Sequence, residues 1–184
     1  MMKRLFDISF AIILIIPATV LVALASLLIK LESSGSAIFR QERVGRHQKL
    51  FTMIKLRTMA VGTGDRASHE VSSSQITKVG RILRKTKIDE LPQIWSVLVG
   101  DMSFVGPRPC LPTQTELIEA RNQLDVFSVL PGITGPAQIE KIDMSTPMKL
   151  AKVDGRYVAE RSTRSDIYYI FATAFGKGSG DAVL

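Results

Sequence analysis

The chain has 184 residues, 24 Lys and Arg against 17 Asp and Glu for a formal charge of +7, and one cysteine. That length suits one compact unit and excludes two large domains, while a hydrophobic share of 46% excludes intrinsic disorder. Cys110 alone cannot make an internal disulfide, which excludes a disulfide-stapled secreted fold, and the basic excess predicts a polyanionic partner: nucleic acid, an acidic lipid surface or a phosphorylated substrate.

In chain order, the first element is apolar. Residues 8 to 29 carry no charge, and a run of about 20 such residues reaches across the hydrocarbon core of a bilayer as a helix. Lys3 and Arg4 precede the run and Lys30, Arg40 and Arg43 follow it, so the distribution of positive charge sets no orientation for a span. Pro17, near the middle, withholds one backbone hydrogen bond and predicts a kink. Each half then rises about 15 Å, enough to reach the bilayer centre and return. The preferred reading is a re-entrant helix-break-helix over 1–34 with both ends on the cytoplasmic face, followed by a membrane-associated cytoplasmic domain over 35–184. A kinked spanning helix is the alternative. A cleaved signal ending at Ala23-Leu24-Ala25 is disfavoured, because the apolar run continues past it through Leu27-Leu28-Ile29.

Two short strands are predicted around Ala37-Ile38-Phe39 and around Leu50-Phe51-Thr52-Met53-Ile54, joined by a basic turn at Arg43-Val44-Gly45-Arg46. Residues 60–75, rich in glycine and serine, read as a loop. Residues 77–87 follow as a short basic amphipathic helix suited to a surface. Leu91, Ile94 or Trp95, and Leu98 then repeat with helical spacing, stopped by Gly100, with Asp89 and Glu90 at the start and Pro92 in the first turn. Further helices are expected over 113–126 and 146–158, separated by the breaker-rich Pro131-Gly132-Ile133-Thr134-Gly135-Pro136. The fold class is therefore mostly α with minor β.

Chemistry concentrates in two places. Asp89-Glu90 is the only acidic doublet in the chain; acidic residues ordinarily cap helices, and on preference alone capping outweighs catalysis. In Gly106-Pro107-Arg108-Pro109, Gly106 and Arg108 both precede prolines and are biased toward extended backbone. Arg108 then rides on a stiff strut, and a guanidinium fixed in advance grips two phosphate oxygens at reduced entropic cost; a plain rigid connector is an equal reading of the prolines. His47 and His69 stand far apart, which argues against a zinc site or histidine triad. Gly62-Thr63-Gly64 and Gly176-Lys177-Gly178 are too short for a phosphate loop, and Cys110 reads as a packed residue.

Lys87-Ile88-Asp89-Glu90-Leu91-Pro92-Gln93, followed by Gly100-Asp101-Met102-Ser103-Phe104-Val105-Gly106-Pro107-Arg108-Pro109, resembles the monotopic bacterial phosphoglycosyl transferases, also called bacterial sugar transferases. The resemblance extends to Lys3-Arg4-Leu5-Phe6-Asp7-Ile8, Arg43-Val44-Gly45, Lys55-Leu56-Arg57-Thr58-Met59, Pro131-Gly132-Ile133-Thr134-Gly135 with Gln138, and Asp154 with Tyr157. It is to the small members made of the catalytic core alone. It implies transfer of a sugar-1-phosphate from a UDP-sugar to polyprenyl (undecaprenyl) phosphate, with Mg2+, at the cytoplasmic face of the bacterial inner membrane. It further implies that Asp89 attacks phosphorus to form a covalent intermediate and expel UMP, with Asp89 and Glu90 meeting the metal and Glu90 assisting by metal or proton handling. Arg108 and Lys55 are implied phosphate ligands; Arg43, Gln138, Asp154 and Tyr157 are substrate-pocket candidates, and Pro17 marks the membrane kink.

Three positions depart from the family's habit. Ile16 stands where a serine usually precedes the proline, Lys87 replaces a serine before the acidic motif, and no Asn-Gly-Arg follows Gln138. A non-enzymatic, membrane-tethered basic module binding acidic lipids or other polyanions is the competing class; it offers no use for an acidic doublet followed by a braced arginine. Nucleic acid becomes the least favoured polyanion. The sugar and the oligomeric state are not encoded in any motif.

Overall fold

A computed structural model describes residues 2–62 and 75–178. It is mostly helical with two small sheets, in the order α1 (Met2–Glu32), β1 (Ile38–Val44), β2 (Leu50–Leu56), α2 (Lys78–Thr86), α3 (Gln93–Val99), β3 (Ser103–Val105), α4 (Thr115–Gln123), β4 (Gly132–Thr134), α5 (Pro136–Ile139), α6 (Pro147–Glu160) and α7 (Thr163–Ala174). Most of the loop expected over 60–75 lies outside the described residues, as does His69.

Helix α1 is apolar along most of its length, and where a break is expected it continues uninterrupted through Pro17. A proline withholds one N–H from the helix ladder, and the adjacent turn is held by Thr19, whose hydroxyl donates to the Ile15 carbonyl at 2.7 Å. The buried residues Asp7, Ala11, Ala18, Ala25 and Ile29 form a single stripe of the helix surface. Small alanines in that stripe let the helix lie close against the rest of the chain. The other faces expose Ile12, Ile13, Ile16, Leu24, Leu27 and Leu31.

Polar contacts fasten both ends of α1. Near its start, Arg4 donates to the carbonyls of Val97 and Leu98 at the end of α3, where the helix dipole favours a cation. Asp7 accepts from Ser103 Oγ at 2.9 Å and the Phe104 N–H at 3.3 Å, and Lys3 pairs with Asp166 at 2.6 Å. At its far end, Glu32 accepts from the Lys78 and Val79 N–H groups in the first turn of α2. Arg57 donates to the Ser33 and Ser34 carbonyls.

β1 and β2 pair antiparallel from Ile38 opposite Leu56 to Val44 opposite Leu50. Both strands outrun the predicted segments, because Gln41 and Arg43 turn inward and hide the alternation; the reversal falls at Arg46–Gln48 rather than at Arg43. β3 and β4 pair in parallel, Ser103 with Gly132 and Val105 with Thr134. Three-residue strands carry no readable period, and neither was foreseen. Helices α5 and α7 were missed as well. The signal for α7 was its capping box, Ser162 exchanging hydrogen bonds with Ser165, with serine in place of the usual glutamate.

Among the described residues, three apolar clusters make the core. One joins β1, α4 and α6 through Val44, Leu117, Phe127 and Leu150, and includes Cys110 as expected. The second sets Ala11 and Ala18 of α1 against Ile94, Val97, Phe104 and Tyr157. The third sets Ala25 and Ile29 against Ala37, Leu56 and Leu83. Two of the three are thus closed by α1.

Candidate active site

Helix α2 is capped by Thr77, whose hydroxyl accepts from the Gly80 N–H, and it ends on Lys87 in the left-handed region (φ 59°). Outside glycine that conformation costs about 1 kcal/mol or more. The reversal leads directly into a single 3-10 turn, Ile88–Glu90, so the acidic doublet sits between two helices rather than at the start of one. The capping reading is corrected here. α3 begins after Pro92 without any side-chain cap, because the Glu90 carboxylate is engaged elsewhere and the proline already sets the first-turn geometry.

β2 brings Lys55 to this turn, and its Nζ donates to Glu90 Oε1 at 3.0 Å. Arg108 donates to the same oxygen at 3.2 Å. Although burial opposes its ionisation, these two cations hold the Glu90 carboxyl down at about 2. Asp89, 8% exposed, behaves oppositely. Burial first, and then the Glu90 charge, push it up to about 6, partly offset by Lys55, Arg84 and Arg108. It makes no hydrogen bond with any described residue. Burial also lowers Lys55, Arg84 and Lys87. The site is an aspartate in a reserved position beside a glutamate already neutralised by cations.

The structure therefore brings together Asp89, Glu90, Lys55 and Arg108. Arg84, which donates to Thr58 Oγ1 at 3.0 Å, joins them unforeseen. Arg43 lies buried below the strut, its guanidinium on the Pro109 carbonyl at 3.3 Å and on Gln41. Gln138 is buried and donates to the Ile133 carbonyl at 2.7 Å. Asp154 and Tyr157 are not brought to the acidic turn. The inward stripe of α6 carries them into the core, where Asp154 pairs with Arg121 at 2.7 Å and the Tyr157 hydroxyl lies 2.8 Å from Asp166 and 3.1 Å from the Val105 carbonyl. Arg121 was overlooked too. Its signal was a charged residue in the inward stripe of α4, beside Leu117 and Ala120.

Asp89 and Glu90 supply hard oxygen donors, and among the described residues no group of three or more His, Cys, Asp or Glu could hold a metal. One or two protein carboxylates with the remaining positions filled by water or phosphate oxygens are the usual setting for magnesium, so this donor set fits that ion.

The sequence profile of the family described as bacterial sugar transferase matches residues 1–177. The uncharacterized sugar transferase EpsL of Bacillus subtilis is 37% identical over 176 residues, covering 94% of this chain and 85% of that protein. The UDP-glucose:undecaprenyl-phosphate glucose-1-phosphate transferase of Caulobacter vibrioides is 43% identical over 141 residues, 74% of this chain and 53% of that protein. Its counterpart of the same name in Escherichia coli is 36% identical over 186 residues, 95% of this chain but 40% of that protein.

Proposed function

The chain belongs to the bacterial sugar transferase family and is an enzyme, and from that premise we propose that it transfers a sugar-1-phosphate from a UDP-sugar to undecaprenyl phosphate, releasing UMP. The observation that carries the reading is the buried Asp89 carboxylate, without a hydrogen bond among the described residues, beside the Lys55–Glu90–Arg108 cluster. Membership in an enzyme family overturns the non-enzymatic alternative.

In the first step an Asp89 oxygen attacks the phosphorus attached to the sugar. A P–O bond forms to Asp89, the bond to the bridging oxygen breaks, and UMP departs with the electron pair. In the second, a phosphate oxygen of the lipid attacks the same phosphorus and returns Asp89 as a carboxylate. A carboxylate nucleophile splits one difficult transfer into two. Repulsion between Asp89 and an anionic diphosphate is the obstacle, and Arg108 and Lys55 supply the opposing charge. Asp89 and Glu90 would hold magnesium, which adds charge neutralisation on the phosphate oxygens.

The site belongs at the cytoplasmic face of the inner membrane. Both ends of α1 are tied to the same body by Arg4, Asp7, Glu32 and Arg57, which supports a seat with both ends on one side of the membrane, although the helix has no break at Pro17. Exposed Ile82 on basic α2, and exposed Trp95 and Val99 on α3, support contact with the interface. Purified protein with labelled UDP-sugars, undecaprenyl phosphate and magnesium should release UMP, and withholding the lipid should leave label on the protein. Full turnover by Asp89→Asn would overturn the covalent route. Cysteines placed at Met2 and Ser34 should react from the same side of the membrane; opposite accessibility would overturn the re-entrant seat.

A further inference from the structure

We infer that Arg121, held by Asp154, is a positioning residue that fixes the direction in which Arg108 points. The inference rests on the proposed phosphate-binding role of Arg108 and adds a residue to it. Pro107 and Pro109 have no N–H, so this stretch cannot pair as an ordinary strand. Its carbonyls are pinned one by one instead. The Pro107 carbonyl accepts from the Gly132 N–H at 2.9 Å, that of Arg108 from Arg121 at 2.9 Å, that of Pro109 from Arg43 at 3.3 Å, and that of Cys110 from the Val44 N–H at 2.9 Å. The two peptide planes that flank the Arg108 Cα are therefore both held. With φ and ψ held, the direction of the Cα–Cβ bond is held too.

Of these donors, Arg121 alone acts on the Arg108 carbonyl itself. Its side chain is 2% exposed, and its Nε and a terminal nitrogen both donate to Asp154 Oδ2, at 3.0 and 2.7 Å. A buried ion pair of this kind is weak support for stability, since apolar replacements of similar volume often do as well. Orientation is what a guanidinium adds: its planar fork can grip a carboxylate with two nitrogens and still present a third to a carbonyl. Arg108 in turn meets Glu90 beside Asp89. A chain of contacts thus runs from α6 through α4 to the strut and the acidic turn.

The test is a double-mutant cycle on the full-length protein with Arg121→Lys and Arg108→Lys, reading kcat and KM for the UDP-sugar by UMP release, joined to an NMR measurement of Arg108 side-chain order. Arg121→Lys keeps the charge and loses the fork. It should lower kcat/KM by about tenfold, yet by less than twofold in the Arg108→Lys background, and Arg108 should lose order. Independent losses that multiply, or unchanged Arg108 order, would overturn the inference. Should Arg121→Lys fail to fold, Asp154→Asn, which retains the shape of the pair, is read by the same criteria. A wild-type protein that releases no UMP while Arg108 loses order in the variant would refute the functional reading and leave the brace standing.

Discussion

Asp89 and Glu90 are neighbours in one turn, yet their surroundings push them in opposite directions. A carboxyl raised from 3.8 to about 6 in the folded state binds its proton more tightly there than in the unfolded chain. Its contribution to stability is complete below about pH 4 and is lost as pH rises through about 6. At pH 7 an ionised Asp89 therefore destabilises the fold, by at most about 3 kcal/mol. Asp89→Asn should abolish UMP release while raising the melting temperature at pH 7, with the stability gap closing below pH 4, as scanning calorimetry across pH would measure. If Asp89 attacks as proposed, it must be ionised, and kcat/KM of the wild type should climb with pH through about 6. Glu90 works the other way: lowered from 4.5 to about 2, it contributes stability above its unfolded value that is lost as pH falls through the folded one. Glu90→Gln removes the charge that Lys55 and Arg108 share, and both melting temperature and turnover should fall.

At the scale of elements, the strut is placed by the parallel pairing of β3 with β4. A Cβ on Gly132 would lie 2.1 Å from the Gly106 nitrogen and 2.5 Å from the Thr134 carbonyl oxygen, both backbone atoms that cannot swing aside. Gly132→Ala should part these strands, lower stability by about 3 kcal/mol and reduce UMP release, because the Pro107 carbonyl loses its Gly132 donor. Denaturant titration and the UMP assay would measure the two effects. Gly80 plays a similar part for α2, where a Cβ would meet the Thr58 carbonyl oxygen at 2.0 Å. That approach sets α2, and hence the turn that follows it, against the segment that carries Lys55 and Thr58.

At the scale of the whole molecule, α1 contributes to the core as well as exposing apolar surface. Ala11 and Ala18 close one cluster over Ile94, Val97 and Phe104, and Ala25 and Ile29 close another over Leu56 and Leu83. Residues 35–184 expressed alone should then show no cooperative thermal transition and should aggregate, as circular dichroism and size-exclusion chromatography would reveal. Arg57→Ala, which frees the Ser33 and Ser34 carbonyls at the end of α1, should loosen that end. Its predicted signature is faster protease cleavage near Ser34.

The sequence by itself determined the family, the apolar first helix, the hairpin, the basic helix, and four residues that meet in space: Lys55, Asp89, Glu90 and Arg108. These were legible because their signals are local, resting on hydropathy, proline geometry and contiguous motifs. The pairing of Arg121 with Asp154 was not, since 33 positions separate them and a charged residue in one helix's inward stripe does not say which residue of another helix it meets. The three-residue strands β3 and β4 have no period of their own and exist through pairing across the molecule. The continuity of α1 through Pro17 was likewise a tertiary matter: a lone proline predicts a break, but a helix docked along one stripe and fastened at both ends has contacts that hold it together. Only the packed structure decided that Asp154 pairs with the arginine that holds the Arg108 carbonyl, and that Asp89 lies buried next to a glutamate gripped by two cations.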